Sequence, residues 1–293
     1  MPDDAANGPN AAPSLAASPT GTNPHRAQEW DATTYHRVSA PHVDWGQSVL
    51  ARLPLQGDET VLDAGCGTGR LTAQLLERLP DGQVIAVDAS ANMLHAAADH
   101  LVPRFGDRVT FRQADLQRLT LAQPVDAIFS TATFHWIRDH ELLFRHLYAA
   151  LRPGGRLVAQ CGGGPNLDRL LARVARLMDA PDLAPSFAGW DGPWEFAGAA
   201  TAARRLRAAG FDGVVTGIEA KSTVMADAAA YREFLTTVIL HAHLERLPDE
   251  VARGAFADAL TEQARSDDPP FLLDYWRLNL KAQRPAAERR ERN

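Results

Sequence analysis

Cysteine is nearly absent: the 293 residues hold only Cys66 and Cys161. Two isolated thiols make no disulfide framework and show no metal-ligand spacing, which points to a reducing compartment and to no metal. Long apolar runs are lacking too, and none reaches the roughly 18 residues that a bilayer span requires. The amino terminus, Met-Pro-Asp-Asp, has no basic-then-apolar signal pattern, so a cytoplasmic location is expected. Positive charge is scarce, with 30 Lys and Arg against 36 Asp and Glu and a net charge of −6. That balance leaves no electrostatic footprint for nucleic acid. Arg204-Arg205-Leu206-Arg207 and Arg289-Arg290-Glu291-Arg292 read as a solvated helix face and a frayed terminus. No internal repeat is visible.

What is present suits a globular enzyme: 45% hydrophobic residues can build a core, and 23% charged residues is ordinary. Residues 1–24, rich in Ala, Pro, Asn, Gly and Ser, read as a disordered lead. Residues 25–293 read as a single domain, with a cofactor-binding core at about 45–161 and helical lid insertions at about 164–200 and 226–265. Trp45 to Leu53 has helical spacing. Strands are then expected at Thr60–Asp63, Gln83–Asp88, Val109–Ala114, Val125–Thr131 and Arg156–Cys161. Helices fall between them at Arg70–Leu79, Ala91–Leu101 and Asp139–Leu151, with Asp139 as N-cap and Arg152-Pro153-Gly154-Gly155 as a break. This alternation predicts an α/β fold, a doubly wound and mostly parallel sheet with helices on both faces. Leu167 to Met178 keeps one apolar helical face, and Pro181 to Phe196 is loop-like. Helix Ala199–Ala209, strand Val214–Lys221, helices about 227–241 and 248–264 and a closing antiparallel strand within Phe271–Ala282 complete the pattern.

The stretch that carries most chemistry is Val61-Leu62-Asp63-Ala64-Gly65-Cys66-Gly67-Thr68-Gly69. A short apolar strand ends on an acid and opens a glycine turn into a helix. Dinucleotide sites use G-x-G-x-x-G to lay bare backbone against a pyrophosphate at a helix N-terminus. Gly65 and Gly67 fit, but the third glycine falls on Arg70 and Gly69 comes one residue early. Asp63, at the mouth of the loop, would repel a pyrophosphate and welcome a cation. S-adenosylmethionine carries a sulfonium, an ammonium and a carboxylate but no phosphate. The loop from Asp63 through Ala64, Gly65, Cys66 and Gly67 therefore suits that cofactor better than NAD.

Ligands of a doubly wound sheet lie beyond the carboxyl ends of its strands. Asp88 ends the second strand, at the spacing where a carboxylate accepts both ribose hydroxyl protons. A helix cap is the alternative, though Ser90 and Asn92 stand ready for that task. Ala89 and Met93 follow, with Met93 placed against an adenine face or in plain core. Asp115 and Leu116 end the third strand, suited to the adenine amino group and ring, or to a simple turn. After the fourth strand, Ser130 and Thr131 are candidates to hold the methionine end, and Phe134 and Trp136 to wall the methyl group. Methyl transfer is an in-line displacement, so alignment is its main catalytic demand, and aromatic rings attract a sulfonium. His135 can serve as base, hold an anionic acceptor or orient Trp136, which makes both residues positioning candidates. Trp30, Tyr35, Trp190 and Trp194 suggest a partly apolar acceptor pocket under the lid, with aromatic core packing as the alternative.

These residues resemble the class I S-adenosylmethionine-dependent methyltransferases, and within them the trans-aconitate and juvenile hormone acid methyltransferase group. The resemblance rests on Val61–Gly69, Asp88 with Ser90 and Met93, Gln113-Ala114-Asp115, Phe134-His135-Trp136-Ile137 and Leu151-Arg152-Pro153-Gly154-Gly155. Trp30 with Tyr35 resembles that group's aromatic entry segment. It covers about residues 28–161, whereas 162–293 matches only in layout. It implies a seven-stranded sheet with its last strand antiparallel, and cofactor contacts at Asp63, Gly65, Gly67, Asp88, Asp115 and Leu116. It also implies esterification of small carboxylic acids, which are ionised at a pKa of about 4 and need no base. The expected partner is a small-molecule methyl acceptor, with neither nucleic acid nor membrane; oligomeric state is not legible. Competing readings are C- or N-methylation with His135, Tyr35 or His36 as base, an NAD-dependent oxidoreductase, and a non-catalytic cofactor-binding module.

Overall fold

The computed structural model describes Glu29, Trp30, Ala32 and residues 40–287, with side chains described from Trp45 onward in the first helix. The expected lead at 1–24, together with Tyr35 and His36, lies outside the described residues.

The first half alternates as its apolar periodicity dictates. In order come α1 (Ala40–Leu50), β1 (Thr60–Ala64), α2 (Arg70–Glu77), β2 (Gln83–Asp88), α3 (Ala91–Phe105), β3 (Val109–Gln113), β4 (Val125–Thr131), α4 (His140–Ala150) and β5 (Leu151–Gly162). Two helix starts are fixed by short polar side chains. Ser90 accepts the Met93 N–H and Asp139 accepts the Leu142 N–H, each satisfying a donor the helix cannot pair internally. The expected break at Arg152–Gly155 is instead a bulge within β5, where the register against β4 slips between Val125 and Ala127.

The second half follows with α5 (Asp168–Met178), α6 (Ala184–Phe187), α7 (Ala199–Ala208), β6 (Asp212–Ala220), β7 (Thr223–Val224) and α8 (Ala228–Phe234). A π-helical turn, Leu235–Ile239, then leads into α9 (His241–Leu244), α10 (Glu250–Ala264), β8 (Leu272–Leu273) and β9 (Trp276–Gln283). The single helix expected over 227–241 is thus broken by that turn. The extended stretch 271–282 also divides. Asp274 leaves the ladder because its carbonyl accepts the Leu167 N–H and its carboxylate the Arg169 N–H, at 3.0 Å each. β8 pairs with β7 instead, and only β9 enters the main sheet.

That sheet has seven strands in the order β3-β2-β1-β4-β5-β9-β6, and β9 runs antiparallel to both neighbours. The direction of β9 matters for function. Its first residues lie at the carboxyl end of the parallel strands, with Arg277 opposite Gly162, the last residue of β5. Helices cover both faces. One core joins Leu62, Ile128, Leu157 and Leu278 to α4 and α7. The other joins Val61, Ala86 and Phe129 to α1, α2 and α3. Each fully buried Leu, such as Leu75 and Leu76 at 0% exposure, contributes about 1.5–3 kcal/mol. A third cluster lies apart from the sheet faces and unites α5, Phe187, α8, the π turn and α10 through Leu170, Val174, Phe234, Val238 and Leu260. It is the core of the lid. No described helix is long and apolar enough to cross a membrane.

Candidate active site

The glycine turn after β1 is forced by close packing. Gly65 has φ 85°, and a Cβ there would lie 2.1 Å from Thr133 Oγ1 on the loop after β4. Gly67 N–H donates to Asp88 Oδ2 at 2.9 Å and Ser90 N–H to Oδ1 at 3.0 Å, so backbone donors fix the carboxylate at the tip of β2. Burial pushes the Asp88 carboxyl above its usual pKa, while those N–H bonds pull it back. Each oxygen retains a lone pair for another donor. A Cβ on Gly67 would meet nothing within 4 Å, so this part of the loop borders open space. Asp115 Oδ1 accepts the Gln117 N–H at 2.9 Å in a short turn, and Leu116 beside it is 5% exposed.

These groups line one cavity of about 860 Å³. At the tips of β1 to β3 its wall is Gly65, Gly67, Asp88, Ala89, Met93, Asp115 and Leu116. Beyond β4 it passes Thr131, His135 and Trp136 and reaches Trp30, Trp190 and Trp194. Vicinal hydroxyls of a nucleoside fit the Asp88 carboxylate, and Met93 with Leu116 offers apolar cover for a base. The cradle fits S-adenosylmethionine.

Five expected site residues do not line this cavity. Asp63 is 2% exposed and turned toward α2, where Thr72 Oγ1 donates to it at 2.7 Å. Alternation along β1 places it on the face of Val61, below the loop rather than at its mouth. Burial, opposed by the Thr72 bond, raises its pKa to about 7. Its expected attraction for a cation at the rim is therefore corrected. Ala64 and Cys66, at 0% and 8% exposure, are core beneath the turn. Ser130 Oγ donates to the Ala64 carbonyl at 2.6 Å and ties β4 to β1. Phe134 faces inward from a 3₁₀ turn onto Phe144, with ring centroids 6.2 Å apart, so it walls the core and not the cavity. Tyr35 lies outside the described residues.

The far end of the cavity gathers around Gly162. His135 Nδ1 accepts the Gly162 N–H at 3.3 Å, and its ring stacks on Phe196 at 5.8 Å. That acceptance assigns the ring proton to Nε2, making His135 a donor there. Asn166, 2% exposed, accepts the Trp276 N–H on Oδ1 at 2.9 Å, which leaves its NH₂ as the outward group. Arg277 is also 2% exposed and lines the cavity, its guanidinium 4.8 Å from the Trp45 ring centre. The apolar wall is continuous: Trp30 meets Trp136 at 5.2 Å, Trp136 meets Trp194 at 5.6 Å, and Trp194 meets Phe196 at 5.6 Å. Val238 and Ile239 reach the cavity from the π turn.

Asn166, Arg277, Tyr275, Val238 and Ile239 escaped the sequence reading. The one available signal was an arginine at an alternating position near the start of the closing strand. Glu29 escaped as well: its carboxylate accepts from Ser90 Oγ at 2.8 Å and from the Ala91 N–H at 3.2 Å, tying the entry segment to α3.

Known proteins agree with this architecture. A methyltransferase domain model matches residues 61–155. A trans-aconitate 2-methyltransferase of Methylobacterium radiotolerans is 31% identical over 255 residues, 83% of this chain and 91% of that protein. Its counterpart in an Azoarcus species is 41% identical over 131 residues, 45% of this chain and 50% of that protein. For several such relatives the matched stretch spans about half of their length. A Haemonchus contortus phosphoethanolamine N-methyltransferase 2, 18% identical, shares the fold with a TM-score of 0.57 over 87% of this chain and 57% of that one. The dinucleotide reading is thereby set aside. The chain belongs to the S-adenosylmethionine-dependent methyltransferases, in the family that includes the trans-aconitate 2-methyltransferases.

Proposed function

We propose that this enzyme transfers the methyl group to a carboxylate oxygen of a small acceptor. The observation that carries the reading is the buried guanidinium of Arg277 in the cavity wall beside His135 and Asn166. Three donors meet there, and the acids lining the cavity, Asp88, Asp115 and Asp139, belong to other strand tips and loops. A buried cation needs an anion, and a planar guanidinium matches a carboxylate. The relatives bear the name of trans-aconitate, a carboxylic acid, which supports the same chemistry.

In this reading Asp88 accepts the ribose hydroxyls, Asp115 accepts from the adenine amino group, and Met93 and Leu116 flank the base. The Gly65–Gly67 backbone and Thr131 border the methionine end. When bound, the cofactor supplies an electrophilic methyl group on a sulfonium. Arg277, Asn166 Nδ2 and His135 Nε2 hold the carboxylate and turn one oxygen toward that methyl. The acceptor is ionised at neutral pH, so no proton must be removed, which matches His135 as donor rather than base. Trp30, Trp136 and Trp194 exclude water from the line of attack.

Methyl-labelled cofactor with a metabolite extract should yield labelled esters that mild alkali cleaves. Arg277→Met should lower kcat/KM about 100-fold while cofactor affinity stays unchanged. A label that survives alkali on carbon or nitrogen, or an Arg277→Met variant with full activity, would refute esterification.

A further inference from the structure

We infer that the acceptor is a monocarboxylic acid with a bulky apolar body; this rests on the carboxylate reading above and narrows it. Among the described residues, the Lys and Arg that line the cavity are Arg118, Arg138 and Arg277. Arg118 lies on the exposed turn after Asp115, at the nucleoside end. Arg138 is 52% exposed, donates to the Gly192 carbonyl at 2.6 Å and sits 3.8 Å from the Asp191 carboxylate. Arg277 is the one of the three that is buried. It can neutralise one carboxylate.

Past that point the wall is indole, phenyl and aliphatic: Trp30, Trp136, Trp194, Phe196, Val238 and Ile239. The roof behind them adds no charge at neutral pH. His243 packs 4.7 Å from Trp190 and 5.1 Å from Trp194, and burial pushes its pKa down to about 4. A second carboxylate entering here would shed its hydration against rings with no buried cation to meet it. An apolar body of the same size would instead displace water from apolar surface. Trans-aconitate, with three carboxylates, places two of them against that wall. The named relatives and this chain thus share a reaction but differ in the body of the acceptor.

The test compares trans-cinnamate, decanoate and trans-aconitate as sole acceptors for the full chain with labelled cofactor, reading kcat/KM for ester formation. The better apolar acid should exceed trans-aconitate by about 100-fold or more. Ile239→Arg, which adds a cation to the apolar wall, should narrow that ratio at least about tenfold by raising the trans-aconitate rate. Trans-aconitate esterified as well as or better than both apolar acids overturns this inference while leaving carboxylate methylation intact. If no acid is esterified and an extract is labelled on nitrogen or carbon, the carboxylate reading falls and this one with it.

Discussion

The two ends of the cavity are built in different ways. The cofactor end is made of three short runs at the tips of adjacent strands, 63–69, 88–93 and 113–116, and its key carboxylate is held by backbone N–H groups. The acceptor end draws single side chains from far-apart elements: His135, Asn166, Trp194, Ile239 and Arg277. The first rests on the two cores of the sheet and the second largely on the separate lid core. Backbone geometry is insensitive to most substitutions, so the cofactor end tolerates drift that would remodel the acceptor end. One fold can therefore keep its reaction and exchange its substrates.

Four measurements sharpen or break this contrast. The largest effect is expected from Asp88→Ala, which removes two charge-assisted bonds to the nucleoside at about 1.5–3 kcal/mol each. Calorimetry should show cofactor affinity falling at least about 100-fold with the circular dichroism spectrum kept, and unchanged affinity would dissolve the ribose assignment. Next comes acid response in the sheet. With its folded pKa raised to about 7, Asp63 binds a proton in the folded state that the unfolded chain releases above about pH 4. Its contribution is present below pH 4 and lost as pH climbs through 7, on the order of 4 kcal/mol. Asp63→Asn should flatten that slope in urea melts taken from pH 4 to 8; an unaltered slope would show that this carboxyl is not the source.

Third, Arg173 joins α5 to the segment after α10 through two bonds to Asp267, at 2.6 and 3.0 Å, with the carboxylate side chain 4% exposed. Arg173→Met should cost about 3 kcal/mol, because it leaves a buried charge unpaired. Hydrogen exchange should rise in the lid while β1 to β5 stay protected; uniform loss would mean that the lid has no independent core. The smallest effect concerns His243, whose sign opposes that of Asp63. Its folded pKa of about 4 lies below the usual 6.5, so the unfolded chain takes up the proton first. Stability is full above pH 6.5 and declines as pH falls toward 4, on the order of 3 kcal/mol. His243→Leu should remove this acid sensitivity, and a persistent decline would place its origin elsewhere. Sheet and roof would then respond to acid in opposite senses.

How much of this was legible followed the same division. β2 and β4 could be bounded to the residue because Gln83–Asp88 and Val125–Thr131 are apolar runs closed by turn residues. The caps at Ser90 and Asp139 were readable because capping is local. Asp63 misled because its position at a strand end says nothing about which face its side chain takes. Phe134 misled in the same way, since a 3₁₀ turn sends it inward while Trp136, two residues on, faces the cavity. Arg277 could not be found from sequence at all. Its place depends on the direction of β9 and on a register that sets it opposite Gly162.

The wide turn at Leu235–Ile239 has a consequence of its own. Leu240 N–H reaches back five residues to the Leu235 carbonyl, so the segment holds one residue more than an ordinary helical winding would. Excising a single residue there would restore regular winding and swing all that follows by about 100° around the axis. His243 would leave its ring stack in one step. An insertion or deletion at this spot is thus a coarse dial for the pocket, able to change what fits in a way that no single side-chain replacement can reproduce.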